Sequence, residues 1–320
     1  MKPFRCSCVQ IPGLFAALLI WLAACAPKPS LVVGVHPWVG YEPLYLAREL
    51  KWLPDAIELR DDMTLAASID DLRSGASSAA CMTLDEMMRA RDAGIPLSAA
   101  LVFDVSAGAD AVVARPGIET LNDLAQKRIG FDPEALGALV FEKLLEMSGL
   151  EASEVIQLDL PPDRQLEAWR NNEVDAVITY EPMISAFLRE GAHVLIDSRQ
   201  MPDTIIDVLA VRRDRPEVLP LVRSLAAAHF RAVHYMRTHE QDFLLRVSAR
   251  EGVSPEEARL MLAGVSFPSP AANRSYLSGA NPRLVQAAVR LSRLMVRRGL
   301  LEHEVTLDQL ALPEGLPGEG

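Results

Sequence analysis

The stretch RSGASSAACMTLDEM at residues 73–87 is repeated in outline by RNNEVDAVITYEPM at residues 170–183. Each copy contains the end of a helical pattern, a polar turn, an apolar strand, and then Thr-x-acid at the start of the next helix. Strands that alternate with helices predict βαβ units. Two similar units in one chain indicate two similar lobes. We expect a cleft between them at the carboxyl ends of the strands, where open α/β sheets bind ligands.

The same alternation extends outward from the two copies. Short apolar strands and amphipathic helices follow one another from residue 31 to about residue 213, which predicts largely parallel sheets. Four helical patterns with few strand signals come afterwards, at 216–237, 240–249, 255–262 and 282–298. The segment after Leu312 is expected to fray. The predicted fold class is α/β, with two Rossmann-like lobes joined by a hinge.

Composition and charge narrow the class of partner. The chain has 320 residues, with 32 lysines and arginines against 43 aspartates and glutamates, and a formal net charge of −11. Its length is typical of a chain with two domains. Nucleic acid is not expected as a partner, because phosphate binding needs a basic face. Solubility alone is an alternative explanation of the acidic balance.

The N-terminus carries an export pattern. Two basic residues precede an apolar run at 11–24, which has the length of a signal-peptide core and is short for a membrane span. The run ends in Leu22-Ala-Ala-Cys25, which resembles the lipobox of bacterial lipoproteins. This resemblance implies a signal peptide at 1–24, a lipidated Cys25, and a linker that completes the segment 25–30. A plain N-terminal membrane anchor is the alternative.

Signatures of enzymes are few. The sequence has no Gly-rich phosphate loop and no GxSxG, HExxH or CxxC motif. His36 is the one histidine at the expected cleft, and it lacks a Cys or Ser partner nearby in sequence. Cys81 stands in an apolar run and is predicted to be a buried small hydrophobe. No metal and no cofactor are predicted, and the chain is not expected to be an enzyme.

Aromatic, hydroxyl and acidic side chains follow the predicted strands at one edge of the sheets. Trp38 and Tyr41 come after the first strand, and polar-tipped aromatics suit binding surfaces, although half-buried packing is the alternative. The acids that follow later strands have an alternative role as helix caps. Thr83 with Glu86, for example, makes a capping box.

The segment GVHPWVGYEPLYLARE at 34–49 resembles the nitrate/sulfonate/taurine and thiamine-precursor family of ABC-transporter solute-binding proteins. MTLDE at 82–86, VDAVITYEP at 174–182 and IDVLAVR at 206–212 support this resemblance, which extends to about residue 301. It implies a type II periplasmic binding protein fold whose two lobes are joined by two crossings. The implied boundaries are 31–105 with 206–312 for lobe one, 106–205 for lobe two, and 313–320 for a tail.

The resemblance also implies which residues contact a ligand in the cleft. These are Trp38, Tyr41, Thr83, Asp85, Ser106, Asp132, Glu134, Thr179, Tyr180, Glu181 and Asp207.

The start of the second-lobe helix departs from the pattern of the anion-binding relatives. Members of the family that bind sulfonates or nitrate often have small hydroxyl residues or glycine there, whereas this chain has Asp132-Pro133-Glu134. Carboxylates at that place oppose an anion. Together with Asp85, Asp104, Glu181 and Asp207, they predict an electronegative cleft. An amine or aminopyrimidine is favoured over an anion, held by charge-assisted hydrogen bonds and cation–π contacts.

The predicted function is that of a lipid-anchored, extracytoplasmic solute-binding protein. Its lobes close on a small polar solute, and the closed form delivers that solute to an ABC permease. The expected location is the periplasmic face of the cell envelope, attached to the membrane through the lipid, and the expected state is a monomer. One alternative is a ligand-sensing module of a membrane signalling protein. Another is an enzyme on the same fold, against which the export signal argues.

Overall fold

The computed structural model describes residues 29–62, 64–133 and 136–318. The predicted signal peptide, Cys25 and Glu134 lie outside the described residues. Within them, no helix is long and apolar enough to cross a membrane.

The described strands form two separate sheets. In chain order they are β1 (Leu31–Val35), β2 (Ile57–Asp61), β3 (Ala79–Thr83), β4 (Leu97–Ser106), β5 (Asp110–Ala114), β6 (Arg128–Phe131), β7 (Ile156–Asp159), β8 (Ala176–Tyr180), β9 (His193–Asp197), β10 (Ile206–Arg212) and β11 (Val265–Ser266). The first sheet has the order β11-β4-β10-β3-β1-β2, and the second has the order β7-β6-β8-β5-β9.

The described helices flank these two sheets. They are α1 (Glu42–Glu49), α2 (Leu65–Ser74), α3 (Leu84–Asp92), α4 (Leu136–Ser148), α5 (Pro162–Arg170), α6 (Met183–Arg189), α7 (Leu219–Thr238), α8 (Glu240–Glu251), α9 (Pro255–Ala263), α10 (Pro270–Leu277) and α11 (Arg283–Arg297). Local sequence fixes several starts. A capping box at Thr83 and Glu86 begins α3, and another at Ser254 and Glu257 begins α9.

The prediction of largely parallel sheets is wrong. β1 is parallel to β2 and to β3, but β10 runs antiparallel to both β3 and β4. In the second sheet, β5 runs antiparallel to both β8 and β9. The reason is that the chain crosses from one sheet to the other twice, from β4 to β5 and from β9 to β10. β5 and β10 are the strands that enter each sheet directly from the other one, and each enters against the direction of its neighbours.

Two short connections join the sheets. The first leads from β4 to β5 through residues 107–109, and the second leads from β9 to β10 through residues 198–205. The hydroxyls of Ser106 and Ser198 lie 2.7 Å apart, and the Gly108 amide donates a hydrogen bond of 2.6 Å to Ser198 Oγ. Gly108 has φ +124°, a conformation that side chains other than glycine rarely adopt. The two connections are therefore bonded to each other where they pass.

Each sheet carries its own hydrophobic core. In the second sheet, Val112 packs in one core and its neighbour Val113 in another, on the opposite face. This alternation follows from the two-residue period of a strand. The core of the first sheet also contains Leu139, which belongs to α4 beside the second sheet. The two halves are therefore in contact, and we refer to this arrangement as the closed form.

The part of the C-terminal segment that the structure describes, up to Gly318, packs against the first sheet and is not frayed as expected. Ala99 accepts a hydrogen bond of 2.8 Å from the Leu312 amide, and its own amide donates to Leu310 O, also at 2.8 Å. Gly315 packs against Ala100, and a Cβ at that glycine would lie 2.7 Å from the Ala100 methyl. Main-chain pairing with β4 and close packing hold this segment, and its polar, glycine-rich composition does not reveal either of them.

Candidate functional site

Polar and aromatic side chains from both sheets meet where the two sheets face each other. The loop after β1 supplies Trp38 and Tyr41, and the start of β10 supplies Asp207. Tyr180 ends β8 in the second sheet. The ring centroids of Trp38 and Tyr180 lie 5.9 Å apart with an interplanar angle of 77°, an edge-to-face contact between the two halves.

Trp38 is held by a carboxylate. Its indole Nε1 lies 3.3 Å from each carboxyl oxygen of Asp104, on β4. Gly40 leaves the room for this contact, because a Cβ at that position would lie 2.2 Å from both Asp104 Oδ2 and Trp38 Nε1. Trp38 is 7% exposed, so the indole is buried where the two halves meet.

Asp104 and Asp207 form a buried pair of like-charged residues. They stand directly opposite each other on the antiparallel strands β4 and β10. The register of the two strands shifts immediately after this pair, between Asp207 and Val208. Side chains of such opposed residues share one face of a sheet, with Cβ atoms about 4.5–5.5 Å apart. Asp104 is 0% exposed and Asp207 is 2% exposed. Tyr41 donates a hydrogen bond of 2.5 Å to Asp207 Oδ1.

Burial makes these carboxylates hard to ionise. It raises the pKa of Asp104 to about 8, with Asp110 adding to the rise and the Trp38 hydrogen bond opposing it. Burial likewise raises the pKa of Asp207 well above its usual value, and Asp104 is the next largest cause. For Asp110, burial raises the pKa to about 7, the Ser106 hydroxyl opposes the rise, and the carboxylates of Glu86 and Asp85 add to it.

The start of α3 brings two further acids to the same place. The Thr83 hydroxyl donates to Asp85 Oδ1 at 2.7 Å, while the Thr83 amide donates to Glu86 Oε2 at 2.9 Å. Glu86 is therefore the helix cap that the sequence suggested as an alternative role. Burial raises the pKa of Asp85 to about 6, and Arg89, 3.5 Å away, opposes the rise. We call Asp85, Glu86, Asp104, Asp110 and Asp207 the acidic site.

The predicted contacts in the second half are placed less uniformly. Glu181 accepts hydrogen bonds of 3.0 Å from the amide and from the hydroxyl of Ser185, so it caps α6. Thr179 is buried beside Ala111, and its hydroxyl has no partner among the described residues. It precedes Tyr180 on the strand, so the two side chains leave opposite faces. Burial raises the pKa of Tyr180, and the carboxylates of Glu86, Asp110 and Asp132 add to the rise.

Sequence reasoning missed two residues of the site. Asp110 starts β5 next to the first connection, is 3% exposed, and has a carboxyl oxygen, Oδ2, without a hydrogen-bond partner among the described residues. Ser198 in the second connection holds Ser106, a predicted ligand contact, by their hydroxyls. The available signal for Asp110 was a charged residue directly before the apolar run Ala111–Ala114, at the start of the strand.

The site can bind charge but is not arranged for nucleophilic attack. Burial and nearby carboxylates raise the pKa of Cys81, so its thiol stays protonated. Burial lowers the pKa of His36 to about 4, and its ring stands edge-on to Tyr41 rather than against a nucleophile. Within residues 29–62, 64–133 and 136–318, no group of three or more His, Cys, Asp or Glu side chains could hold a metal ion.

The chain is similar in sequence to a curated periplasmic protein and in structure to several solved proteins. The taurine-binding periplasmic protein of Escherichia coli (strain K12) is 26% identical over 131 residues, which are 40% of this chain and 41% of that protein. The chain thus matches about two fifths of the length of this curated relative. The alkanesulfonate-binding protein SsuA from Xanthomonas axonopodis pv. citri, bound to MOPS, superposes with a TM-score of 0.77 at 19% identity, covering 90% of this chain and 99% of that one.

An enzyme shares the architecture as well. The desulfurization enzyme DszB superposes with a TM-score of 0.61 at 19% identity, covering 89% of this chain and 97% of that one. At these identities the likeness shows the fold alone, and it confirms the predicted two-lobed periplasmic binding protein fold. A profile of the NMT1-like family matches residues 24–245, which is more than half of the sequence. The chain therefore belongs to the NMT1-like family.

Proposed function

We propose that this chain is a lipid-anchored, extracytoplasmic solute-binding protein that captures a cationic amine or aminopyrimidine between its lobes and delivers it to an ABC permease. One observation carries the choice of ligand. Asp104, Asp110 and Asp207 are buried together, and none of them has an ion-pair partner in the part of the chain that the structure describes. Buried charges in proteins are normally paired, because an isolated one is costly to desolvate.

A cation would supply the missing partner. An ammonium or a protonated aminopyrimidine donates hydrogen bonds to carboxylates, and such charge-assisted bonds are about twice as strong as neutral ones. Trp38 and Tyr180 would stack beside the same cation and add a cation–π contribution of about 0.5–2 kcal/mol. An anion would meet the repulsion of the same acids. Taurine, for which one relative is named, would place its ammonium and not its sulfonate here.

The closed form is consistent with capture between two lobes. We assign residues 31–105 with 206–312 to lobe one and residues 106–205 to lobe two. Ion pairs join these two lobes, including Arg189 to Glu257 at 2.6 Å, Arg283 to Asp203 at 3.3 Å, and Arg298 to Glu142 at 3.4 Å. Closure that buries a solute and completes such contacts would produce the form that a permease recognises.

A thermal-shift screen with ligands of matched shape and different charge tests the choice of ligand. The panel contains benzylamine, benzyl alcohol and benzoate, together with 4-aminopyrimidine, taurine and methanesulfonate. We expect stabilisation by the amines, which mass action sets at about 2.7 kcal/mol for a hundredfold excess over the dissociation constant. Asp110→Asn should abolish it. The control Asp214→Asn, which removes an exposed acid paired with Arg212, should not. Stabilisation by the anions alone would overturn the acidic-site assignment.

Metabolic labelling with a radioactive fatty acid tests the anchor. The wild-type chain should be labelled and should sediment with membranes, and Cys25→Ser should lose both properties. Co-purification with a permease in the presence of an amine, but not in its absence, would support delivery. Turnover of the bound amine would instead favour the enzymatic role that DszB shows to be possible on this fold.

A further inference from the structure

We propose that the Asp104–Asp207 pair sets the charge specificity of the site: it holds one shared proton while the closed site is empty and exchanges that proton for the cation of the ligand. The replacement of the proton by the cation of the ligand rests on the proposed function. The shared proton does not, because it follows from the placement and burial of the two acids alone.

The strand register places two buried acids side by side, without an ion-pair partner among the described basic side chains. The strand register sets Asp104 opposite Asp207, and the two carboxyls have four oxygens between them. Trp38 and Tyr41 each supply one donor hydrogen, to Asp104 and to Asp207 respectively. Two ionised carboxylates at this separation repel strongly in a site that water does not reach, and a proton between them removes the repulsion.

The surrounding groups do not relieve this repulsion. His36 in the loop after β1 and Cys81 on β3 stay neutral, because burial lowers the pKa of the imidazole and raises the pKa of the thiol. Asp110 on β5 and Glu86 on α3 raise the pKa of Asp207 further. Arg89 of α3 is a cation that acts on other acids of the acidic site.

Arg89 acts on the acids of its own helix. Its positive charge opposes the rise in pKa of Asp85 and of Glu86. Neither Asp104 nor Asp207 forms an ion pair with a described basic side chain. A proton is therefore the counter-charge that remains for the pair when no ligand is bound.

This arrangement selects ligands by charge. A cation that enters replaces the shared proton, so its affinity should rise about tenfold per pH unit over the range in which one proton is released. A neutral ligand leaves the proton in place and should bind independently of pH. An anion would need additional protons, and its affinity should fall as the pH rises.

Two measurements on the full-length chain test the inference. The first is a ¹³C NMR titration of aspartate carboxyls in the empty protein, with Asp104→Asn and Asp207→Asn to assign the signals and Asp214→Asn as control. We expect one wild-type carboxyl of the pair to stay protonated above pH 6, and this high titration step to be lost in both pair variants but not in the control. Full ionisation of both carboxyls at pH 6 would overturn the inference.

The second measurement is calorimetry of benzylamine binding in two buffers with different ionisation enthalpies. We expect release of about one proton per site near pH 7 for the wild type, and less for Asp104→Asn. Binding without proton release would overturn the exchange while the proposed function stands. No binding of benzylamine, with a carboxyl that still titrates high, would overturn the proposed function and leave the shared proton supported.

Discussion

Tyr41 donates its hydroxyl hydrogen to Asp207 at 2.5 Å, although 166 residues separate the two in the chain. The ring of Tyr41 is fully buried, with Phe103 edge-on at 5.4 Å and His36 at 5.5 Å. Packing against these two rings therefore fixes the position of the phenol, independently of its hydrogen bond to Asp207. It links the loop after the first strand to the strand that returns from the other lobe.

Removal of this hydroxyl should cost more stability at high pH than at low pH. The hydrogen bond favours the charged form of Asp207 and opposes the rise of its pKa, so it is strongest when that group is ionised. For Tyr41→Phe we expect a loss of about 1–3 kcal/mol at pH 8 and a smaller loss at pH 5, measured by urea unfolding. Tyr45→Phe is the matched control, since the Tyr45 ring packs beside Arg48. Equal losses at both pH values would contradict the assignment.

The empty protein should lose stability as the pH rises from about 5 to 8. The pKa is raised to about 8 for Asp104, to about 7 for Asp110 and to about 6 for Asp85. The folded chain therefore binds more protons than the unfolded chain in this range, and the free energy of unfolding falls with pH. Each such group contributes a slope of up to about 1.4 kcal/mol per pH unit.

Calorimetric or urea unfolding at several pH values measures this slope. Asp104→Asn should make it shallower, whereas Asp214→Asn should not, because the pKa of Asp214 is lowered by the Arg212 hydrogen bond and it titrates below the range. A free energy of unfolding that is constant or increases from pH 5 to 8 would count against protonated acids in the site.

Gly40→Ala should disrupt the site without a change in charge. The new methyl would lie 2.2 Å from Asp104 Oδ2 and from Trp38 Nε1, so one of the two must move. We expect a loss of about 1–3 kcal/mol in stability, typical of overpacking, together with a change in tryptophan fluorescence and a loss of amine binding. Gly318→Ala, where no atom lies within 4 Å of the added Cβ, should leave all three unchanged. Unaltered binding in Gly40→Ala would argue against the Trp38–Asp104 contact as part of the site.

The ion pairs between the lobes should bias the lobes toward closure. Arg189→Gln and Arg283→Gln each remove one contact between the lobes, and partly exposed pairs contribute about 0.2–1 kcal/mol each. We expect the double variant to have a larger radius of gyration by small-angle X-ray scattering and a weaker affinity. Arg259→Gln removes pairs that lie within lobe one and serves as the control. An identical scattering curve for the double variant would show that these pairs do not hold the closed form.

The sequence predicted what local patterns encode. The alternation of strands and helices indicated two α/β lobes, and the capping box at Thr83 and Glu86 was visible as a spacing of three residues. The opposition of Asp104 and Asp207 was not predictable, because it depends on the register of two strands about a hundred residues apart and on a register shift beside them. The antiparallel direction of β5 and β10 was hidden for the same reason, since it follows from the path of the chain between the sheets.

The contact between the hydroxyls of Ser106 and Ser198 has a mechanical consequence. If the lobes swing about this point, the displacement of any pair of residues grows with its distance from it, as along a lever. Asp104 and Asp110 stand on either side of Ser106, close to the pivot, and would separate little. Opening would thus relieve the crowding of negative charge by admitting water, which raises the local dielectric constant, and not by moving the charges apart.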